Sequence, residues 1–512
     1  MPASSRPLVT AAAILVAVVT VLPLGVVLVD AVTSTPGGLG GALEYLVRPR
    51  IGELLGNTLL LLGISVPACI ALGVGAAWLV ERTDLPFAGV WRVLLAAPLA
   101  VPAFVAAYAW VSFRPGLDGL GGAALVTTAA YFPFVYLPVA AILRDLDAAP
   151  EEDARALGAS PFAAWRRTVV PRLRPAISGG ALLVALHLLA EFGVLEMMRY
   201  PTFTTAILVQ YQVSFSSSQG SLLAIVLALL CITVLTFEHI VRGSARTSRV
   251  GRGVHRRAVP VRLGRWAPVA CVTLAGVVLV SLVVPVTLVT RWLVAWLGDP
   301  GDELGLRPSL LLTTGSTVSL ALAAAALTTV MAFPGAWLLS RRRRAWTLLL
   351  ERVTYIASSL PGVVIALALV TLSVRFLPAI YQTPTLLVLG YTILFIPRAM
   401  VSLRSGLAAA PPELSDAARS LGCSPVQAFR RVVLPLILPS ALTGAALVAI
   451  ATATELTATL LLSPTGTSTL ATAFWAASDE FDYVGAAPFA AMMILLSAPL
   501  TVLMLRQSGI EE

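Results

Sequence analysis

DARALGASPFAAWRRTVVPRLRP, residues 153–175, and AARSLGCSPVQAFRRVVLPLILP, residues 417–439, are two copies of one segment. A constant offset of 264 pairs Ala154 with Ala418, Arg155 with Arg419, Leu157 with Leu421 and Gly158 with Gly422. It also pairs Ser160-Pro161 with Ser424-Pro425, Arg166-Arg167 with Arg430-Arg431, and Pro171 with Pro435. The same offset carries Glu191 onto Glu455. Upstream, an offset of 259 carries Ala77-Trp78-Leu79 onto Ala336-Trp337-Leu338 and Pro102 onto Pro361. An internal repeat of this kind fixes architecture: the chain is two homologous halves in tandem.

Each copy carries the same local instructions. Acidic residues open it (Glu151, Glu152 and Asp153; Glu413 and Asp416), which suits the positive end of a helix dipole. Gly158 and Gly422 follow about two turns later and end that helix. Ser-Pro then begins a second helix with proline in its first turn. One such helix–turn–helix could be an ordinary polar loop with a surface helix. Two matched copies form a docking element for a two-fold partner.

The sequence around the copies is that of a membrane protein. Of 512 residues, 58% are hydrophobic and 12% charged, and the mean hydropathy is +0.90. Runs of about 20 apolar residues, enough to cross the hydrocarbon layer, occur at roughly 9–30, 56–80, 89–113, 121–143, 178–198, 219–241, 267–290, 312–340, 350–374, 384–402, 439–462 and 485–505. The expected fold is all-α, a polytopic transmembrane bundle of about twelve spans in two six-span halves. The first run resembles a signal peptide in length, but its only basic flank is Arg6 and no small-residue cleavage site stands out. It is read as a retained helix.

Charge orients these spans. All 35 basic residues are arginine. With both termini inside, the outer gaps hold only Arg48, Arg50, Arg114, Arg199, Arg291, Arg307 and Arg375, and every other arginine falls inside. This is the positive-inside distribution, and it argues against a nucleic-acid-binding reading of the net charge of +9. The expected organisation is a first half, 1–241, with its repeat segment in the inner loop 145–177. A cytoplasmic Arg-rich linker, 242–266, leads to a second half, 267–512, with its segment in 405–438. The linker arginines suit anionic lipid headgroups.

The twin segments resemble the EAA motif of ATP-binding-cassette (ABC) importer permeases, E-A-A-x(3)-G-x(9)-I-x-L-P. The first copy supplies Glu152-Asp153-Ala154, Gly158, Thr168, Val170 and Pro171. The second supplies Asp416-Ala417-Ala418, Gly422, Val432, Leu434 and Pro435. Asp153, Thr168 and Asp416 depart from the pattern. The resemblance implies the type I importer permease fold and makes each segment the coupling helix that enters a groove of an ATPase subunit. AEFGVLEMMRYPTFTTAI (190–207) and TELTATLLLSPTGTSTLATAFW (454–475) further resemble ferric-iron permeases with two fused halves. Permeases for thiamine, aminoethylphosphonate and polyamines share that layout. The implied partners are two ATPase subunits, an extracytoplasmic binding protein and membrane lipid, with no nucleic acid, and the implied location is the cell membrane.

The chemistry fits a subunit without catalysis of its own. A P-loop needs a lysine for the β and γ phosphates, and the chain has none. ATP and Mg are therefore expected on the partner subunits, with no cofactor, catalytic residue or metal site here. Cys69, Cys231, Cys271 and Cys423 form no C-x-x-C pair, and His187, His239 and His255 no H-x-x-x-H. Ionisable residues within spans are functional candidates. Glu191 and Glu455 could line the passage with hard oxygen ligands, or could be buried carboxylates bonded to helix neighbours. The acidic outer segment Asp479, Glu480 and Asp482 could touch the binding protein or simply be solvated. A proton-coupled secondary transporter also has twelve spans. It would carry a G-x(3)-D-R-x-G-R-R loop, whereas ERTDLP (81–86) stands there.

Overall fold

The structure is a computed structural model. It describes residues 6–147, 149–212, 217–242, 260–298, 306–341, 346–347, 350, 353–354 and 360–507. The linker expected over 242–266 lies mostly outside these residues, as do Arg342 to Arg344 and most of the start of the span expected at 350–374.

Among the described residues there is no β-strand, only an isolated bridge between Thr83 and Val261. Nine helices are long and apolar enough to cross a membrane. A tenth span is formed if Ala88–Ala100 and Ala103–Phe113, bent by 92° at their junction, count as one. Two shorter apolar helices, Gly362–Phe376 and Tyr483–Pro499, occupy the remaining expected positions. The chain is an all-α, multi-pass membrane protein.

Two compact units emerge, and they do not follow the two sequence repeats. One comprises Met1–Ile51, Phe203–Leu229 and Asp299–Met492; the other comprises Gly52–Thr202, Leu230–Gly298 and Met493–Glu512. Each takes most of its helices from one repeat and the leading helix of the other. In the first unit, Arg6–Thr33 packs on Leu306–Arg341 and Gly362–Phe376. In the second, Val284–Gly298 packs on Ala103–Phe113, where Trp110 donates its indole N–H to the Val280 carbonyl at 3.3 Å.

In both units a helix begins just after one of the matched prolines, and at Pro102 it follows a sharp break. Proline lacks an N–H and cannot continue a helix through its own position. Pro102 and Pro361 both sit just before a helix in extended conformation, φ −55° and −56°. The helices that follow are buried on nearly every side from Ala103 to Ala109 and from Gly362 to Thr371. They form the centre of each unit.

In lipid there is no hydrophobic drive between apolar helices, so close packing at small residues holds them together. The repeat supplies such residues at matched places. A Cβ on Gly180 would stand 2.7 Å from the Phe134 carbonyl oxygen and 2.8 Å from Val135 Cα; one on Gly444, the matched glycine, would stand 2.8 Å from Ser402 Cβ. The first unit also buries a charge. Asp30 is 1% exposed, accepts from Ser34 at 2.7 Å and Ser221 at 2.8 Å, and is paired with Arg375. Intramembrane carboxylates survive through such partners.

Gly180→Ala and Gly444→Ala should each cost about 1–3 kcal/mol through overpacking. The readout is a fall of several degrees in the thermal midpoint of the purified protein. Gly179→Ala, whose Cβ meets nothing within 4 Å, should not lower it. Equal midpoints for Gly179 and Gly180 variants would contradict the packing described.

Candidate functional site

The twin segments fold alike. The first runs through helices Ala149–Ala156 and Pro161–Thr168, the second through Pro412–Ser420 and Pro425–Ala428. Between the helices, Ala159 N–H donates to the Ala154 carbonyl and Gly158 N–H to that of Arg155, both at 3.0 Å. In the second copy, Cys423 N–H donates to Ala418 at 3.1 Å and Gly422 N–H to Arg419 at 3.0 Å. This pair of bonds is the Schellman closure, which needs a left-handed residue at the turn. Gly158 and Gly422 supply it, with φ of +89° and +90°. Ser160 Oγ then accepts from Ala163 N–H, and Ser424 Oγ from Gln427 N–H, each at 3.3 Å. Ala154 and Ala418 therefore provide the carbonyls that close each turn.

The turns are anchored on one side and open on the other. Ala164 and Ala428, with Val169 and Val433, are fully buried. Facing away, Leu157 is 89% exposed and Leu421 86%; Phe162 and Val426 are exposed too. Glu152, Asp153, Asp416 and Ala417 lie exposed beside them, and Pro171 and Pro435 begin the long helices Val170–Ala190 and Leu434–Ala453. Each turn thus presents two large apolar side chains with acidic neighbours, at positions fixed by the repeat. Contiguous exposed apolar surface rimmed by polar residues marks a protein interface.

Behind the first segment lies a charge cluster that the apolar-run reading passed over as loop. The Glu81 side chain is 2% exposed and receives Arg92 through two bonds of 2.9 Å and Arg144 at 2.8 Å. Next to it, Arg82 donates to Glu151 at 2.5 Å. The only signal in the sequence was an acidic–basic pair ending an apolar run.

Glu191 and Glu455 stand where their spans break. The helix Val170–Ala190 stops, and Gly193–Met197 starts after it; Leu434–Ala453 stops, and Thr457–Leu462 starts. Glu191 accepts from Val194 N–H at 3.1 Å and from the Tyr131 hydroxyl. Glu455 accepts from Ala458 N–H at 2.9 Å, Thr459 N–H at 3.0 Å and Thr459 Oγ at 2.9 Å. The Tyr391 hydroxyl shares a 2.7 Å bond with Thr459 Oγ1. Both oxygens of each carboxylate are engaged by the helix that follows the break or by its neighbours. His187 packs between the rings of Tyr131 and Phe134 at 5.5 and 4.5 Å. Asp482 caps the next helix through Gly485 N–H at 2.8 Å. No group of three or more His, Cys, Asp or Glu placed to hold a metal ion occurs among the described residues.

An all-α membrane chain built from two repeats, each with an exposed helix–turn–helix, suits a transport permease. The chain belongs to the family of binding-protein-dependent transport system inner membrane components, which it matches twice, over residues 69–240 and 324–509. It is 35% identical over 467 residues, 91% of this chain and 92% of the relative, to the Fe(3+)-transport system permease protein FbpB 2 of Haemophilus influenzae. It is 23% identical over 451 residues, 78% of each chain, to a probable ABC transporter permease protein, y4fN, of Sinorhizobium fredii. The sulfate transport system permease protein CysW of Escherichia coli K12 is 28% identical over 176 residues, covering 31% of this chain and 60% of CysW.

Glu455→Gln turns an amide NH₂ toward an N–H group or leaves one unsatisfied, at a cost of about 1–3 kcal/mol for a buried donor. Glu191→Gln and Glu455→Gln should therefore lower thermal stability and yield, while the KM for the transported ion in the protein that does fold moves less than two-fold. A large rise in KM at unchanged stability would instead assign these carboxylates to the ion path.

Proposed function

We propose that this chain is the permease of an ATP-driven ferric-iron importer. The relative named for Fe(3+) transport carries this reading, because its similarity runs through nearly the whole of both chains. Fused importers for thiamine, aminoethylphosphonate or polyamines are less favoured, since the relative matched over 91% of this chain is named for Fe(3+) transport, and a proton-coupled transporter is not favoured by the family match.

In this reading an extracytoplasmic binding protein delivers the ion. Two ATPase subunits on the inner face bind ATP and Mg, and this chain binds neither. Each ATPase groove takes one coupling segment, with Leu157 and Phe162 or Leu421 and Val426 as apolar knobs. Glu152, Asp153 and Ala154, with Asp416, Ala417 and Ala418, form the acidic rim and the turn. Closure of the ATPases on ATP moves the segments, and the spans behind them switch access from outside to inside. Capping, rather than ion binding, is the role we assign to Glu191 and Glu455. A passage that must release its cargo gains nothing from a tight intramembrane site.

Gly158→Arg or Gly422→Arg places a bulky side chain at a left-handed turn, at about 1–2 kcal/mol of local strain, and displaces the knobs. Membrane insertion should stay near normal. Co-purification of the ATPase, ATP hydrolysis and uptake of ⁵⁵Fe(III) into proteoliposomes should each fall about ten-fold or more. Full uptake in the double variant would overturn the coupling assignment. Competition by thiamine, aminoethylphosphonate or spermidine, with no uptake of iron, would overturn the substrate.

We also propose that the coupling segments and both termini face the cytoplasm. In a variant lacking the four native cysteines, a membrane-impermeant maleimide should modify Glu480→Cys in intact cells and leave Ser420→Cys unmodified. The opposite pattern would invert the orientation.

A further inference from the structure

The two coupling segments present matched surfaces but are not held alike. Arg82 ends the helix Pro49–Arg82, is 6% exposed, and pairs with Glu151 in the opening turn of the first segment. Arg82 is itself clamped from both sides. The residue before it, Glu81, is the buried hub that holds Arg92 and Arg144. On the other side, Val261 N–H donates to the Arg82 carbonyl at 2.8 Å, Asp84 N–H to Val261 at 3.2 Å, and Leu263 N–H to Asp84 Oδ1 at 2.7 Å. The guanidinium is therefore presented to the coupling helix from a fixed post.

The second repeat has lost both carboxylates of this arrangement. The offset of 259 places Ser340 at the position of Glu81 and Arg341 at that of Arg82; the offset of 264 places Ser415 at that of Glu151. Among the described residues Arg341 makes no ion pair at bonding distance; Asp416 and Glu413 of the second segment act on it through space, without a direct bond. The Arg341 guanidinium carbon lies 4.6 Å from the centre of the Trp337 ring, and its Nη2 is buried without a hydrogen-bond partner. A cavity of about 210 Å³, bordered by Trp337, Arg341, Ser415, Asp416 and Arg419, opens beside it and separates the guanidinium from direct contact with the segment's carboxylates.

We propose that Arg82 is a positioning residue for energy coupling. Its ion pair with Glu151 ties the first coupling helix rigidly to the second span, and the second coupling helix has no equivalent tie. A helix moved by its ATPase passes the displacement to the spans only as far as its attachment is stiff. The ion pair is mostly shielded from water, where a charge-assisted bond keeps its geometry. The first segment therefore transmits ATPase movement directly, and the second rocks against its cavity before transmitting it. This rests on the coupling role assigned to the segments above.

The test uses the assembled transporter in proteoliposomes and reads ATP hydrolysed per ion transported. Glu151 lies on a surface helix, so Glu151→Gln should fold and assemble, and should raise the ratio at least three-fold. Arg82→Lys should raise it less than Arg82→Gln. The exchanged pair Arg82→Glu with Glu151→Arg should restore at least half of the loss. Arg341→Gln should leave the ratio within two-fold of the parent. An unchanged ratio in assembled Glu151→Gln, no recovery in the exchanged pair, or an equal effect of Arg341→Gln would overturn the inference and leave the coupling role untouched. Leu157→Glu separates the two ideas: it should abolish ATPase co-purification, and normal assembly in that variant would overturn the coupling role itself.

Discussion

A helix that breaks inside hydrocarbon must find partners for the backbone groups it frees, because no water is there to take them. This chain breaks a helix at Pro102, and breaks helices in both repeats after Ala190 and Ala453. After Ala190 and Ala453 the solution is a half-buried carboxylate. Glu455 takes two N–H groups and a hydroxyl of the helix it precedes; Glu191 takes one N–H group and the Tyr131 hydroxyl. Remove these acceptors and the short helices that follow have exposed N–H groups in an apolar surround. The broken segments are what let a span change direction within the membrane, and the buried helices after Pro102 and Pro361 pack directly against them.

The repeat preserved some physical devices and let others go. It kept the left-handed glycine, the serine cap and the proline start of each coupling turn, because backbone geometry admits few substitutes. It kept Gly180 and Gly444, where another helix leaves no room for a side chain. It did not keep the charge cluster at Glu81, where Ser340 stands in the second half. The turns and the close helix contact have remained two-fold, while the charge cluster around Glu81 has diverged.

The sequence made the first class legible and the second nearly invisible. A duplicated Gly-Ser-Pro turn shows itself by spacing alone, and apolar runs of span length place the helices. The right-angle bend at Pro102 could not be read, since proline within a span permits a kink, a break or neither. The exchange of leading helices between units was hidden as well, because apolar residues do not say which apolar neighbour they face. Asp30 looked like the end of a span and Arg375 like an outer-loop charge. Only their meeting, 345 residues apart in the chain, shows a buried pair. Glu191 and Glu455 were visible as intramembrane carboxylates, but pattern could not separate a lining residue from a cap. That distinction rests on which N–H groups lie within reach.

In the coupling role proposed for them, the two small turns are where the work of transport enters. Burying a large aliphatic or aromatic side chain contributes about 1.5–3 kcal/mol, so the four knobs at Leu157, Phe162, Leu421 and Val426 supply roughly 6–12 kcal/mol in all. Association itself costs about 4–15 kcal/mol. The knobs alone therefore leave little surplus, and the acidic rims at Glu152, Asp153 and Asp416 must add to it. A contact so close to balance holds only if the turns are already in their docked shape, because any ordering on binding would consume the surplus. The Schellman closures, serine caps and buried Ala164 and Ala428 provide that shape in advance. On that proposal, preorganised turns rather than a large interface let two short segments carry the force of ATP hydrolysis into a bundle of membrane helices.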